Sequence, residues 1–312
     1  MLFLSIVAAA TPMLIYLYLL WRFDKNEPEP IKLVLLHFLY GATGAIVLGI
    51  FASMLFSFPL TIVFSSESKH ILQTIVTAPI IEEIAKALLL FKTVKYKEVD
   101  NLTDGLVYGG AIGLGFGMTE NFLYFLVFST SIESFIPIIL MRTFFSAVMH
   151  TISTATVGGI MSLTKYSSNN KYKLSTLLGL SIAILIHFIW NYGITFFNSF
   201  FIGTIFMALI IIIFIITFYL SLKFENKIIK EKLEEEIPMY LLAKLTSKDK
   251  YKSNWFIKPY QKQFIELTTK LAFRKHEVEI SEGNKELYKE EIDFLKKEIS
   301  NLVEKNNCIK PG

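Results

Sequence analysis

The sequence predicts an all-α fold: a polytopic membrane bundle of about seven transmembrane helices, followed by a cytoplasmic helical tail. Of its 312 residues, 53% are hydrophobic and 19% are charged, and the mean hydropathy is +0.49. An ordinary soluble domain carries about 25% charged residues. The charges are also uneven, since residues 1–222 hold 12 Lys and Arg and 11 Asp and Glu, whereas residues 223–312 hold 19 and 16. We therefore predict a membrane domain at 1–222 and a charged helical tail at 223–312.

The individual spans follow from length and hydropathy. A helix needs about 20 mostly apolar residues to cross roughly 30 Å of hydrocarbon. Stretches that meet this requirement are 2–21, 33–64, 71–91, 102–128, 134–163, 174–197 and 199–222. The second and fifth are long enough to tilt or break. We expect the first to be retained rather than cleaved as a signal peptide, because no positive charge precedes it and no small-residue cleavage site follows it.

The loops between these spans predict the orientation. No Lys or Arg precedes the first span, and the successive loops carry three, one, three, none, three and none, before a tail rich in Lys. Positively charged loops are retained in the cytoplasm. The sequence thus predicts a multi-pass protein of the cell membrane, with its N-terminus outside and its tail in the cytoplasm.

Composition also excludes some functions. The net charge is only +4, and no basic cluster alternates with aromatic residues, so we expect no nucleic-acid partner. The single cysteine excludes an intrachain disulfide framework and a cysteine-based zinc finger. The partner expected from composition is the lipid bilayer.

Polar residues inside the spans are the strongest indication of function. A charged side chain at mid-membrane costs about 2.5–3.5 kcal/mol on insertion scales. Spans three to six nevertheless contain Glu82, Glu83, Lys86, Glu120, Asn121, Arg142, His150, His187 and Asn191. Because the members of each span share or adjoin one helix face, we expect four polar stripes that face one another. The glycines between 109 and 117 predict close helix packing.

Structural interpretations remain open for part of this set. Glu82 and Lys86, four residues apart, fit a simple intrahelical ion pair. Arg142 is as consistent with orienting a carboxylate as with contacting a substrate. His37 and His70 lie near span ends and His276 lies in the tail, so we predict structural roles for these three.

The remaining carboxylates, imidazoles and amide can activate water. A buried Glu takes a proton from water near neutral pH, and a His and Asn pair can stabilise an oxyanion. Glu82, His150 and His187 also suit zinc with an open position for water, although no His-Glu-x-x-His motif is present. Either chemistry predicts hydrolysis within the membrane. A proton- or cation-coupled transporter is an alternative, against which the absence of an internal repeat counts, and a non-enzymatic sensor is another.

The same residues resemble a known family. Glu82-Glu-x-x-Lys86, Glu120-Asn-x-x-Tyr124, His150 and His187-x-x-Trp-Asn191 are similar, in order, to the motifs of the PrsW intramembrane proteases. The first cytoplasmic loop, at 24–30, is similar to the acidic Glu-Pro loop of that family. The prenyl (CAAX-type) endopeptidases and bacteriocin-immunity proteins are more distantly similar. Lys86 and Ser146 depart from the prenyl endopeptidase pattern and favour the PrsW branch.

The resemblance implies a substrate and residue roles. The substrate would be a membrane-anchored anti-sigma factor, cut first on its extracytoplasmic side to release a sigma factor for a stress response. Glu82 would be the water-activating base and His150 its partner. His187 and Asn191 would form the oxyanion site or part of a metal shell, and Glu83 and Glu120 would be required supports. A prenyl-protein endopeptidase is the alternative enzyme, and zinc-dependent and metal-free glutamate mechanisms remain equally open.

Overall fold

The structure is a computed structural model. It describes residues 1–96, 99–128, 131–196, 200–247, 249–252, 254–281 and 288–309. All regular structure in these ranges is helical, which confirms the predicted fold class. The helices are α1 (Leu2–Phe23), α2 (Ile31–Tyr40), α3 (Ile46–Val63), α4 (Ser66–Leu72), α5 (Ala78–Thr93), α6 (Leu102–Phe128), α7 (Ile132–Met141), α8 (Ala147–Thr164), α9 (Asn169–Thr195), α10 (Phe200–Leu233), α11 (Met239–Leu245), α12 (Tyr260–Ile280) and α13 (Lys289–Ile309).

Membrane-spanning helices account for most of this fold. Among the described residues, six helices are long and apolar enough to cross a bilayer: Leu2–Phe23, Ile31–Ile62, Leu102–Phe128, Ile132–Thr164, Asn169–Thr195 and Phe201–Leu233. These six correspond to six of the predicted spans. The remaining one, 71–91, is helical as expected. Its Glu82, Glu83 and Lys86 make it too polar to qualify on length and composition alone.

Three of the long helices contain a single π-helical turn, at Gly41–Ala45, Gln73–Thr77 and Arg142–Ser146. These turns join α2 to α3, α4 to α5 and α7 to α8. The first and third lie within the two stretches whose length allowed a break. Such turns widen a helix locally and are frequent at functional sites. Here, the second and third directly precede the segments that carry Glu82 and His150.

Glycines bring the backbones of α6 and α8 together. A Cβ atom added at Gly105, Gly109 or Gly113 would collide with the main chain of α8, at Gly158, Thr154 and His150 respectively. Spaced four residues apart, these glycines form one face of α6. The predicted close packing is therefore confirmed, and it sets His150 against α6 with no room for a side chain between them.

The chain divides into two compact units. The first comprises Met1–Asp24, Pro28–Lys165 and Asn170–Tyr219, and contains the polar residues of the spans. The second comprises Lys25–Glu27, Tyr166–Asn169 and Leu220–Gly312, with a core of apolar residues from the end of α10 and from α11 to α13, such as Leu233, Leu241, Phe264, Leu271 and Leu295. The predicted division into a membrane domain at 1–222 and a charged tail at 223–312 stays a prediction.

Candidate active site

Helices α5, α6, α8 and α9 bring the polar stripes together inside the first unit. The imidazole rings of His150 and His187 lie with centroids 4.9 Å apart and perpendicular to each other. Glu83 and Lys86 from α5 and Glu120 from α6 contact these two rings. The expected convergence of four helices on one site is thus present in the structure.

Glu83 is fully enclosed at the base of this site. Its carboxylate accepts hydrogen bonds from the Lys86 ammonium (2.5 Å), from Nδ1 of His187 (2.9 Å) and from the Ser153 hydroxyl (3.1 Å). Lys86 therefore pairs with Glu83, three residues away, and not with Glu82 as the spacing had suggested. Three donors are thus directed at Glu83, and its bond to Nδ1 holds His187 in one orientation.

Glu82 lies differently, although it is adjacent in sequence. Its Oε2 atom is buried and has no hydrogen-bond partner among the described residues. The nearest basic atom is Nε2 of His187, at 3.9 Å, which is too far for a direct hydrogen bond. Because Nδ1 of His187 donates to Glu83, Nε2 of a neutral ring is an acceptor. Two acceptors thus face each other across a gap that suits a proton donor or a cation.

His150 is held at both ring nitrogens. The Lys86 ammonium, which can only donate, lies 3.0 Å from Nδ1, and the Glu120 carboxylate, which can only accept when ionised, lies 2.6 Å from Nε2. These partners assign the tautomer: Nδ1 accepts and Nε2 carries the proton. His150 therefore connects the charged group of α5 to Glu120.

Arg142 orients Glu120. Its Nη2 atom lies 2.5 Å from Oε2 of Glu120, and its Nε donates to Oδ1 of Asn121 (2.9 Å). The guanidinium also stacks over the ring of Tyr124, with Cζ 3.8 Å from the ring centroid. Of the two roles that the sequence left open for Arg142, the structure shows the orientation of a carboxylate.

Asn191 lies outside the hydrogen-bonded group. Its Nδ2 atom donates to the main-chain oxygen of Thr74 (2.9 Å), within the π-helical turn that precedes Glu82. The neighbouring Trp190 donates to the Ser146 hydroxyl (3.2 Å), in the π-helical turn that precedes His150. In this arrangement both residues of α9 fix the helices that carry site residues.

A cavity of about 320 Å³ opens beside Glu82. Its lining residues come from α3, from the π-helical turn before α5, and from α5 and α6: Ile46, Gly49, Ile50, Ser53, Met54, Ser57, Gln73, Glu82, Phe116, Glu120 and Leu123. Glu82 and Glu120 both border it, whereas Glu83 does not. The Glu82 side chain is 17% exposed and that of Glu83 is 0% exposed, so Glu82 is the member of the pair that a ligand can reach.

Glu82, His150 and His187 form a group that could hold a metal ion. Each offers one ligand atom, and these atoms lie within 4.8 Å of one another. Two imidazoles and a carboxylate are a common zinc-binding set. The His187–Glu83 hydrogen bond is the kind of second interaction that orients a metal-ligating histidine.

The other histidines lie elsewhere. His37 is buried and contacts the Leu33 carbonyl (2.7 Å) and the Thr93 hydroxyl (2.6 Å). His276, in α12, packs against Phe224. His70 lines a second cavity, described below.

Sequence reasoning missed Ser153 and Thr74, which contact Glu83 and Asn191. Ser153 follows His150 by three residues and so shares its helix face, which is a signal that could have identified it. The Thr74 contact uses a main-chain oxygen. Because every residue type has this atom, the sequence could not indicate the contact.

A comparison with protein families matches the part of the chain that carries this site. A family model described as PrsW family intramembrane metalloprotease matches residues 29–220. The chain is 28% identical over 186 residues to Protease PrsW of Clostridioides difficile (strain 630), covering 59% of this chain and 76% of that protein. It is 31% identical over 209 residues to Protease PrsW of Oceanobacillus iheyensis, covering 66% and 89%. It is 35% identical over 124 residues to Protease PrsW of Geobacillus kaustophilus, covering 38% and 50%. No solved structure matches.

Proposed function

Because the chain belongs to the PrsW family of intramembrane metalloproteases, we propose that it hydrolyses a peptide bond of a membrane-anchored protein at the Glu82 site. The family makes the chain an intramembrane protease. The observation that carries the assignment of the site is the buried oxygen Oε2 of Glu82, which has no partner among the described residues and lies 3.9 Å from Nε2 of His187, on a side chain that borders a cavity.

Glu82 acts as the general base in this proposal. A water molecule between Oε2 of Glu82 and Nε2 of His187 would donate a hydrogen bond to each acceptor, leaving its lone pair directed at the cavity. Glu82 then takes the proton as the water oxygen attacks the scissile carbonyl, and delivers it to the leaving amine. Nothing else in the described part of the chain competes for that oxygen of Glu82.

Glu83 and Lys86 position the reacting groups. Glu83 already accepts from three donors and is closed off from the cavity, so it is not available to take a proton from water. It fixes the tautomer of His187, while Lys86 fixes that of His150. The two adjacent glutamates thus have separate roles: Glu82 as base and Glu83 as the residue that orients His187.

Glu120, His150 and Arg142 form the other side of the site. Arg142 and Lys86 place positive charge next to Glu120 and His150, and Glu120 borders the cavity. Positive groups directed at a developing oxyanion stabilise the transition state of acyl transfer. In this arrangement the oxyanion role that the resemblance implied for Asn191 passes to these groups, and Asn191 supports the helix that carries Glu82.

The donor set fits a zinc ion held by Glu82, His150 and His187. Oε2 of Glu82 is buried without a partner, and His187 has the carboxylate support typical of a metal ligand. His150 would have to give up its contact with Lys86 or Glu120 to take part. A bound zinc ion would polarise the scissile carbonyl and lower the pKa of the attacking water.

The substrate is proposed to be a membrane-anchored anti-sigma factor, cut on its extracytoplasmic side. The support is the resemblance of the ordered motifs and the loop charges, which favour an outside N-terminus and a cytoplasmic tail in the cell membrane. Lys86 and Ser146 depart from the prenyl endopeptidase pattern, and the relatives are named as PrsW proteases. The transporter alternative has no such support.

Co-expression tests this function. A panel of single-span membrane proteins that includes anti-sigma factors, each tagged at both ends, is expressed with wild-type protein or with Glu82→Gln. We expect a truncated product of at least one anti-sigma factor with wild type only. Cleavage of other single-span proteins alone would contradict the substrate class, and equal cleavage by both proteins would remove Glu82 from the base role.

A further inference from the structure

The cavity beside Glu82 adjoins a second cavity at the C-terminal end of α4. A second cavity of about 280 Å³ shares Ser53 and Gln73 with the first and is also lined by His70, Thr74, Thr77 and Ala78. We call the joined space the trough, with Glu82, Gly49, Ser53, Gln73 and His70 along it. Glu82 lines the first of its two cavities, and all the lining residues belong to the first unit.

Gly49 leaves room in the trough that helix packing does not require. A Cβ atom added there would meet only Cγ of Glu82 and Cε2 of Phe116, both at 3.8 Å, which is ordinary contact. By contrast, a Cβ added at Gly113 or Gly115 would collide with the main chain of a neighbouring helix. The space at Gly49 is therefore open to an occupant immediately beside the Glu82 side chain.

Two polar side chains of the trough have unused hydrogen-bonding capacity. Nearby hydroxyls bond within their own helix, as Ser57 does to the Met54 carbonyl (2.9 Å) and Thr61 to the Ser57 carbonyl (2.9 Å). Within the described ranges, the Ser53 hydroxyl and the Gln73 amide make no hydrogen bond, although both line the two cavities. Polar groups left unpaired in an apolar environment are costly. An occupant with polar groups would supply the missing hydrogen-bond partners.

An unwound peptide is an occupant of this kind. A protease must open the substrate helix to reach a peptide bond, and each freed backbone group then needs a hydrogen-bond partner inside the bilayer. We propose that the trough binds an extended segment of the substrate main chain next to the scissile bond. Ser53 and Gln73 bond its backbone, and Gly49 makes room for the side chain adjoining the bond. This inference rests on the proposed function.

Added bulk at Gly49 tests the inference through substrate choice. Once mass spectrometry has mapped the bond cut by wild type, the adjoining substrate residue is changed to Ala or to Phe. Gly49→Ala should lower cleavage of the Phe substrate relative to the Ala substrate about tenfold or more, the usual effect of a methyl-sized change in a pocket. Val47→Phe, at an exposed position (62%) of the same helix, is the control and should leave that ratio unchanged. An unchanged ratio with Gly49→Ala would overturn the inference.

Crosslinking separates failure of the trough from failure of the proposed function. The photoreactive residue p-benzoylphenylalanine replaces Ser53, or Val47 as control, in the Glu82→Gln background, with the same tagged panel. Capture through position 53 but not 47 supports the trough. Cleavage by wild type without capture at position 53 overturns the trough and leaves the function intact. If wild type cuts none of the panel, the proposed function fails, and capture at position 53 still decides whether the trough binds these proteins.

Discussion

The Glu83–Lys86 ion pair should show a large non-additive effect on stability. Both side chains are fully enclosed and lie 2.5 Å apart. Removing one partner of a buried pair leaves an uncompensated charge and costs about 3–5 kcal/mol, whereas replacing both with neutral groups is often close to neutral. We therefore expect Glu83→Gln and Lys86→Met each to be strongly destabilising. The free energy of unfolding of the double variant should lie within about 2 kcal/mol of that of wild type.

Thermal unfolding in detergent measures this effect. With about 2–4 °C per kcal/mol for a domain of roughly 150–250 residues, each single change should lower Tm by roughly 6–20 °C. The double variant should recover most of that loss but remain inactive, because His150 and His187 no longer have the same partners. Lys92→Met, at an exposed position of the same helix, is the matched control and should change stability by less than about 0.5 kcal/mol. Additive losses in the double variant would refute the reasoning.

Three further outcomes are expected. Gly113→Ala should lower the yield of folded protein, because the added Cβ collides with the main chain at His150; normal expression and size-exclusion behaviour would contradict the packing described for α6 and α8. Stability of the second unit should fall in acid. Burial would raise the pKa of Glu236, but hydrogen bonds from Lys275 and Lys296 outweigh it and lower the pKa below the ordinary 4.5. The stabilisation is thus complete above that value and is lost as the pH falls further. The urea concentration at the midpoint of unfolding of the tail should therefore decrease as the pH is lowered below 4.5 in wild type. In Glu236→Gln this concentration should depend less on pH. Finally, chelation separates the two roles open to Glu82. The general-base mechanism predicts cleavage that survives exhaustive chelation, whereas zinc found by elemental analysis together with loss of cleavage on chelation would make Glu82 a metal ligand.

The sequence predicted the features that depend on composition and helical periodicity. Long apolar stretches with few charges indicated the spans, because the cost of charge in lipid acts residue by residue. The spacing within each span placed Arg142 and His150 on one face, and both contact Glu120. The glycine face of α6 followed from its repeat, and the collisions at Gly109 and Gly113 give its physical reason.

The sequence could not predict which side chains of the site pair with one another. Spacing alone could not decide whether Lys86 pairs with Glu82 or Glu83, because both lie within one helical turn of it. The choice depends on His187 and Ser153, which reach Glu83 from other helices. The contact of Asn191 with Thr74 depends on a π-helical turn, which has no reliable sequence pattern.

Cleavage in isotopically labelled water tests most directly whether Glu82 delivers water to a peptide bond. Purified protein is reconstituted in liposomes with a tagged substrate from the panel, in water enriched in ¹⁸O. Wild type should produce a new C-terminus whose carboxylate carries the label, and Glu82→Gln should produce none while keeping the Tm of wild type. Labelled product formed by Glu82→Gln at the wild-type rate would contradict the role of Glu82.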